Sequence, residues 1–88
     1  MVQLPAHEME PVINRLRRAQ GQIGGVLKML EEGRDCEAVV TQLAAVSRAL
    51  DRAGFAIIAA GLKQCLNDPA GAESLDSKKM EKLFMSLA

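Results

Sequence analysis

Between Asp35 and the Asn67-Asp68-Pro69 turn the sequence contains no helix breaker, and that one segment constrains the fold more than any other. Asp35 has the side chain of a good N-cap. Pro69 cannot continue a helix, so the spacing predicts one unusually long helix over residues 35–67. Its first half carries an apolar stripe of Val39, Val40, Leu43, Val46 and Leu50. Its second half, residues 53–62, is apolar on every side, and a helix hydrophobic all round is a buried one. A chain of 88 residues removes only a modest fraction of its surface from water when it folds alone. The sequence therefore predicts that this segment is buried against other copies of the chain, its Ala and Gly positions letting backbones approach closely.

The flanking segments are helical too. Over residues 8–32, Val12, Leu16, Ala19, Ile23, Val26, Leu27 and Leu30 recur at helical spacing, with Gly33 as the stop. Pro11 is tolerated in a first turn, which puts the start of this helix close to Glu10. After a short Pro/Gly linker, Ser74 or Asp76 is expected to cap a last helix that packs through Leu75, Met80, Leu83, Phe84 and Leu87. The expected architecture is all-α, a single domain over residues 1–88 with one long central helix. With no Trp or Tyr and two Phe, the core must be aliphatic. Residues 53–62 are too few to span a bilayer, and Met1-Val2-Gln3-Leu4-Pro5 is no secretory signal. A reducing, cytoplasmic setting with no membrane partner is expected. The formal net charge is zero, so composition offers no electrostatic argument for nucleic acid and any such argument must rest on local patches.

In a reducing compartment a pair of cysteines is more often metal-binding, catalytic or redox-sensing than a structural disulfide. Cys36 and Cys65 stand at opposite ends of the long helix, and a rise of about 1.5 Å per residue sets them roughly 43 Å apart. They cannot bond within a chain. At about 100° per residue, however, they return to within roughly 20° of one direction. Two such helices packed antiparallel would bring Cys36 of one chain beside Cys65 of the other, with two equivalent sites per dimer. Cys36, at the positive end of the helix macrodipole and next to Arg34, is the expected attacking thiol, with Cys65 as its resolving partner. The plainer alternative, that both are small buried hydrophobes, stands open on spacing alone.

Residues 14–26, Asn-Arg-Leu-Arg-Arg-Ala-Gln-Gly-Gln-Ile-Gly-Gly-Val, followed by Glu31-Glu32, Asp35-Cys36, Gln42-Leu43-Ala44-Ala45-Val46 and Ala49-Leu50, closely resemble the copper-sensitive operon repressor (CsoR-like) family. The resemblance spans roughly residues 11–66. It implies a three-helix protomer, an antiparallel dimer assembling into a flat tetramer, and repression of operator double-stranded DNA that is relieved when an inducer reaches a site between protomers. Copper-sensing members place Cys, His and Cys where this chain has Cys36, Gly61 and Cys65. Gly61 lies one turn before Cys65 and offers no ligand, and Asp35 stands where copper members tend to carry an aromatic residue. Formaldehyde sensors resemble one another in an N-terminal proline and a His at position 61, against Val2 and Gly61 here. Nickel and cobalt sensors need several His, and this chain has only His7. Two thiols without a His most resemble the persulfide-sensing (CstR-like) branch.

Arg15, Arg18 and Gln22 recur at i, i+3 and i+7, with Arg17 beside them, and Arg48 and Arg52 repeat one turn apart on the long helix. Alone they read as a solvated face; the resemblance makes them the DNA surface. His7 reads as an exposed tail residue, Glu81 as a solvent-face charge, and the five Met mostly as core fillers or termini and not as a thioether metal box. The leading expectation is a repressor whose Cys36 and partner Cys65 form a di- or polysulfide bridge, with no cofactor. The runner-up is a repressor coordinating Cu(I) through the same two thiolates, since Cu(I) is soft. Third is a helical interaction or copper-buffering module without DNA binding. Nothing beyond the thiols suggests a nucleophile with its base, so an enzyme is not expected.

Overall fold

A computed structural model describes residues 3–67 and 75–88 of the chain. It is all-helical: a single 3-10 turn at Ala6–Glu8 precedes α1 (Glu10–Glu31), α2 (Cys36–Leu66) and α3 (Leu75–Leu87). Pro11 sits in the first turn of α1, where its missing N–H leaves no intrahelical bond unmade. The hairpin between α1 and α2 follows from three residues. Gly33 takes φ +69°, the left-handed conformation that glycine adopts without steric cost. Around it the Gly33 N–H donates to the Leu30 carbonyl (3.2 Å) and the Arg34 N–H to the Met29 carbonyl (2.9 Å), the paired bonds of a Schellman motif. Asp35 then caps α2, its carboxylate accepting from the Ala38 N–H at 3.1 Å.

α1 and α2 pack along a narrow seam. Val12, Ala19 and Val26, seven residues apart, are the buried positions of α1, and Val46 and Ala53, also seven apart, are buried positions of α2. Ala19 and Ala53 are each 1% exposed; their small side chains let the two backbones come close. The broader stripes read from the sequence are only partly used. Leu27, Leu30, Val40 and Leu43 all remain more than half exposed. Glu8 reaches across to Lys63 at 3.8 Å, which fixes the start of α1 beside the end of α2.

The apolar half of α2 is covered differently from the sequence expectation. A helix of the same chain lies on it. A Cβ on Gly54 would stand 2.8 Å from Leu87 Cδ1 and one on Gly61 2.8 Å from Met80 Sδ, while the Phe55 and Phe84 rings lie 5.4 Å apart. Seven residues forward on α2 match seven residues back on α3, so the two helices run antiparallel. The small residues thus admit α3 first. Of the caps expected for that helix, Ser74 lies outside the described residues and Asp76 falls inside the helix. The chain measures 55 × 26 × 14 Å with a radius of gyration of 16.7 Å. A globular chain of this length would have a radius near 12 Å, and 14 Å is little more than the thickness of one helix with its side chains. A slab of that shape has a seam rather than an enclosed core, which is why the leucines of its faces stay in water.

Candidate functional site

The Schellman turn and the Asp35 cap place Cys36 as the first residue of α2, where it is exposed. Cys65 stands one residue before the last of α2 and is buried, 2% exposed. α2 runs without interruption between them, which is the condition on which the separation of roughly 43 Å expected of an ideal helix rests. What the sequence did not show is how unlike the two environments are in burial. α3 packs on the C-terminal half of α2, meeting it at Gly54, Phe55 and Gly61, and Cys65 lies buried one turn beyond the last of these.

Gly61 and Cys65 share the buried stripe of α2 one turn apart, and the place of a position-61 side chain is not empty. Met80, 6% exposed, lays its thioether there, with Sδ 2.8 Å and Cγ 3.9 Å from where a Cβ would be. Among the described residues no three His, Cys, Asp or Glu side chains come together in a way that could hold a metal. His7 is exposed and lies 3.9 Å from Glu8, which places it at the Cys65 end of its own protomer. Glu81 is exposed and lines a hollow with Leu62 of α2, Phe84 and Met85.

The arginines converge. Arg15, Arg18 and Gln22 of α1 and Ala49 and Arg52 of α2 line one groove of about 330 Å³. A second hollow, of about 550 Å³, continues it through Arg15 and Arg18 to Asn14, Glu10 and His7. Of the six residues the sequence nominated for DNA, the structure brings Arg15, Arg18, Gln22 and Arg52 into this groove; Arg17 and Arg48 are exposed outside it. Gln22 Oε1 is buried and has no hydrogen-bond partner among the described residues. Asn14 and His7 were not expected here; the 3-10 turn that folds the tail back along α1 brings His7 in.

The profile of a family described as metal-sensitive transcriptional repressors matches residues 8–87. The chain belongs to that family. Membership makes DNA its partner class. The chain is 35% identical over 69 residues to the copper-sensing transcriptional repressor RicR of Mycobacterium tuberculosis, a stretch covering 76% of this chain and 72% of the relative. It is 30% identical over 61 residues to the copper-sensing transcriptional repressor CsoR of Bacillus subtilis, covering 69% of this chain and 60% of that one. Over a shorter stretch of 40 residues, 46% of this chain and 64% of the other, it is 48% identical to the protein YrkD of Bacillus subtilis. The metal-sensitive repressor family thus accounts for all three helices. Among the described residues no helix is long and apolar enough to cross a membrane.

Proposed function

We propose that this chain is a repressor whose grip on operator DNA is released by Cu(I), bound between Cys36 of one protomer and Cys65 of an antiparallel second one. The observation that carries the reading is the unbroken α2, with a cysteine at each end; an ideal helix of that length turns the two positions to within roughly 20° of one direction. Two antiparallel copies then make two equivalent sites. The half-exposed leucines and valines on a slab 14 Å thick supply surface for that pairing and for assembly into a tetramer. Copper takes precedence over reactive sulfur because the relatives named copper sensors align with most of this chain, and the expectation of no cofactor gives way with it. Cu(I) is soft and takes thiolates readily.

The burial of Cys65 supplies the coupling. A partner's exposed Cys36 meets Cys65 only if the α2–α3 contact at that end reseats, so occupancy of the site favours one arrangement of the helices over another. A near-complete switch needs a bias of about 5.5 kcal/mol between the two arrangements. Repositioned protomers change the spacing of the arginine grooves, and with it their fit to the phosphates.

Gly61, which brings no imidazole, favours a second reading. Cys36 thiolate attacks the outer sulfur of a persulfide and displaces a thiolate; the partner's Cys65 then attacks the Cys36 persulfide, forming a disulfide and releasing hydrosulfide. Fluorescence anisotropy of operator DNA with the reduced protein separates the two. Release at one Cu(I) per protomer, without release by polysulfide under anaerobic conditions, supports copper. Release by polysulfide alone, with a covalent dimer that dithiothreitol reverses, replaces it with the sulfur reading.

A further inference from the structure

A site built from two thiolates is one ligand short of the three-coordinate arrangement that the family resemblance implies for copper, and Gly61 cannot supply it. The space above Gly61 is filled by a soft donor, the Met80 thioether, with Sδ 2.8 Å from the place of the missing Cβ. Side chains on a helix lean toward its N-terminus. On α3 that direction runs toward the Cys65 end of α2, because the helices are antiparallel; on α2 the same rule leans Cys65 back toward Gly61. The two sulfur-bearing side chains therefore incline toward each other across a single turn, whose Cβ positions are about 5–6 Å apart. Three rotatable bonds let methionine close such a gap and follow the thiol as the α2–α3 contact reseats. Both residues are buried, at 2% and 6% exposure, so the thioether already lies inside the site and loses no hydration on binding. Softness decides the ligand: thiolate and thioether sulfur select Cu(I) over harder divalent ions.

We infer that Met80 is the third ligand of the copper site, giving an all-sulfur set of Cys65 and Met80 from one protomer and Cys36 from the other. The inference rests on the copper reading and adds the residue that stands in for the missing nitrogen. It also explains why Gly61 is a glycine, since any side chain there would displace the thioether.

The test uses the reduced, full-length protein loaded anaerobically with one Cu(I) per protomer. X-ray absorption at the copper edge should show three sulfur neighbours and no imidazole scattering. Competition against a chromophoric Cu(I) chelator should show Met80→Leu, which conserves volume, binding at least about 10-fold more weakly, the lower end of what loss of an outer-shell partner alone costs, with its copper two-coordinate. Cys65→Ser should lose more. Imidazole scattering, which His7 alone could provide, or a two-coordinate site in the unmodified protein, would overturn the Met80 assignment. So would an unchanged affinity and spectrum in a folded Met80→Leu. In each of these cases copper loss in the Cys36→Ser and Cys65→Ser variants leaves the copper reading standing. Copper binding no tighter than in the Cys36→Ser/Cys65→Ser double variant would remove both. Should Met80→Leu lose its helical circular dichroism, the absorption spectrum of the unmodified protein decides by itself.

Discussion

Single residues set the chemistry of the two α2 ends, and the contrast between them is measurable. Cys36 is exposed and Cys65 is 2% exposed, a difference in burial that their spacing does not disclose. A brief pulse of maleimide on the native reduced protein should therefore label Cys36 rapidly and Cys65 slowly, and denaturant should erase the difference. Peptide mapping that finds both labelled at one rate would show that Cys65 is open to solvent. Gly33 makes the other residue-scale demand. Its φ of +69° is costly for a residue with a Cβ, so Gly33→Ala should destabilise the protein by about 1–2 kcal/mol, read from urea unfolding. A smaller loss from Asp35→Ala, about 1 kcal/mol, would follow from the cap that starts α2. Both positions were legible in the sequence because capping and left-handed glycine depend on neighbours a few residues away.

Legibility falls at the scale of elements. The start of α1 at Glu10, the Gly33 stop, the start of α2 at Cys36 and its uninterrupted length all appear in the structure as the periodicity implied. The partner of the apolar half of α2 did not, because an all-apolar surface states that it is covered and not by what. Gly54 and Gly61 receive Leu87 and Met80 of the same chain, and the methionine at helical spacing looked like any core filler. The seam and the α3 contact should respond differently to added volume. Ala53 is 1% exposed between helices, so Ala53→Leu must push backbones apart and should cost about 1–3 kcal/mol. Gly54→Ala meets only the far end of the flexible Leu87 side chain and should leave the melting temperature nearly unchanged. Comparable losses in the two variants would show that α3 is packed as rigidly as α1.

For the whole molecule, the formal charge is zero, yet Arg15, Arg18 and Arg52 from two helices converge on one groove. Neither helix alone discloses this; spacing placed Arg15 and Arg18 on one face of α1, but only the hairpin brings Arg52 of α2 alongside. Arg17 and Arg48, equally basic in sequence, stay outside. If the groove meets phosphate, each arginine that pairs with one releases counterions, and the logarithm of affinity falls with the logarithm of salt by about 0.9 for each phosphate neutralised. Repetition around an assembly multiplies the effect, so a neutral chain can still bind DNA with a steep salt slope. The Arg15→Ala/Arg18→Ala variant should weaken operator binding at all sequences and flatten that slope, by about one unit for each phosphate left without its arginine. Because both side chains are exposed, its oligomeric state and melting temperature should not change. An Arg17→Ala/Arg48→Ala variant serves as the control of equal charge outside the groove, and its slope should change less. If the two variants flatten the slope equally, the protein meets DNA through diffuse charge on its surface and the groove is not the docking site. If only the groove variant does so, the phosphates lie where α1 and α2 converge, and a reseating of α3 at the Cys65 end acts on DNA through the hairpin that carries both.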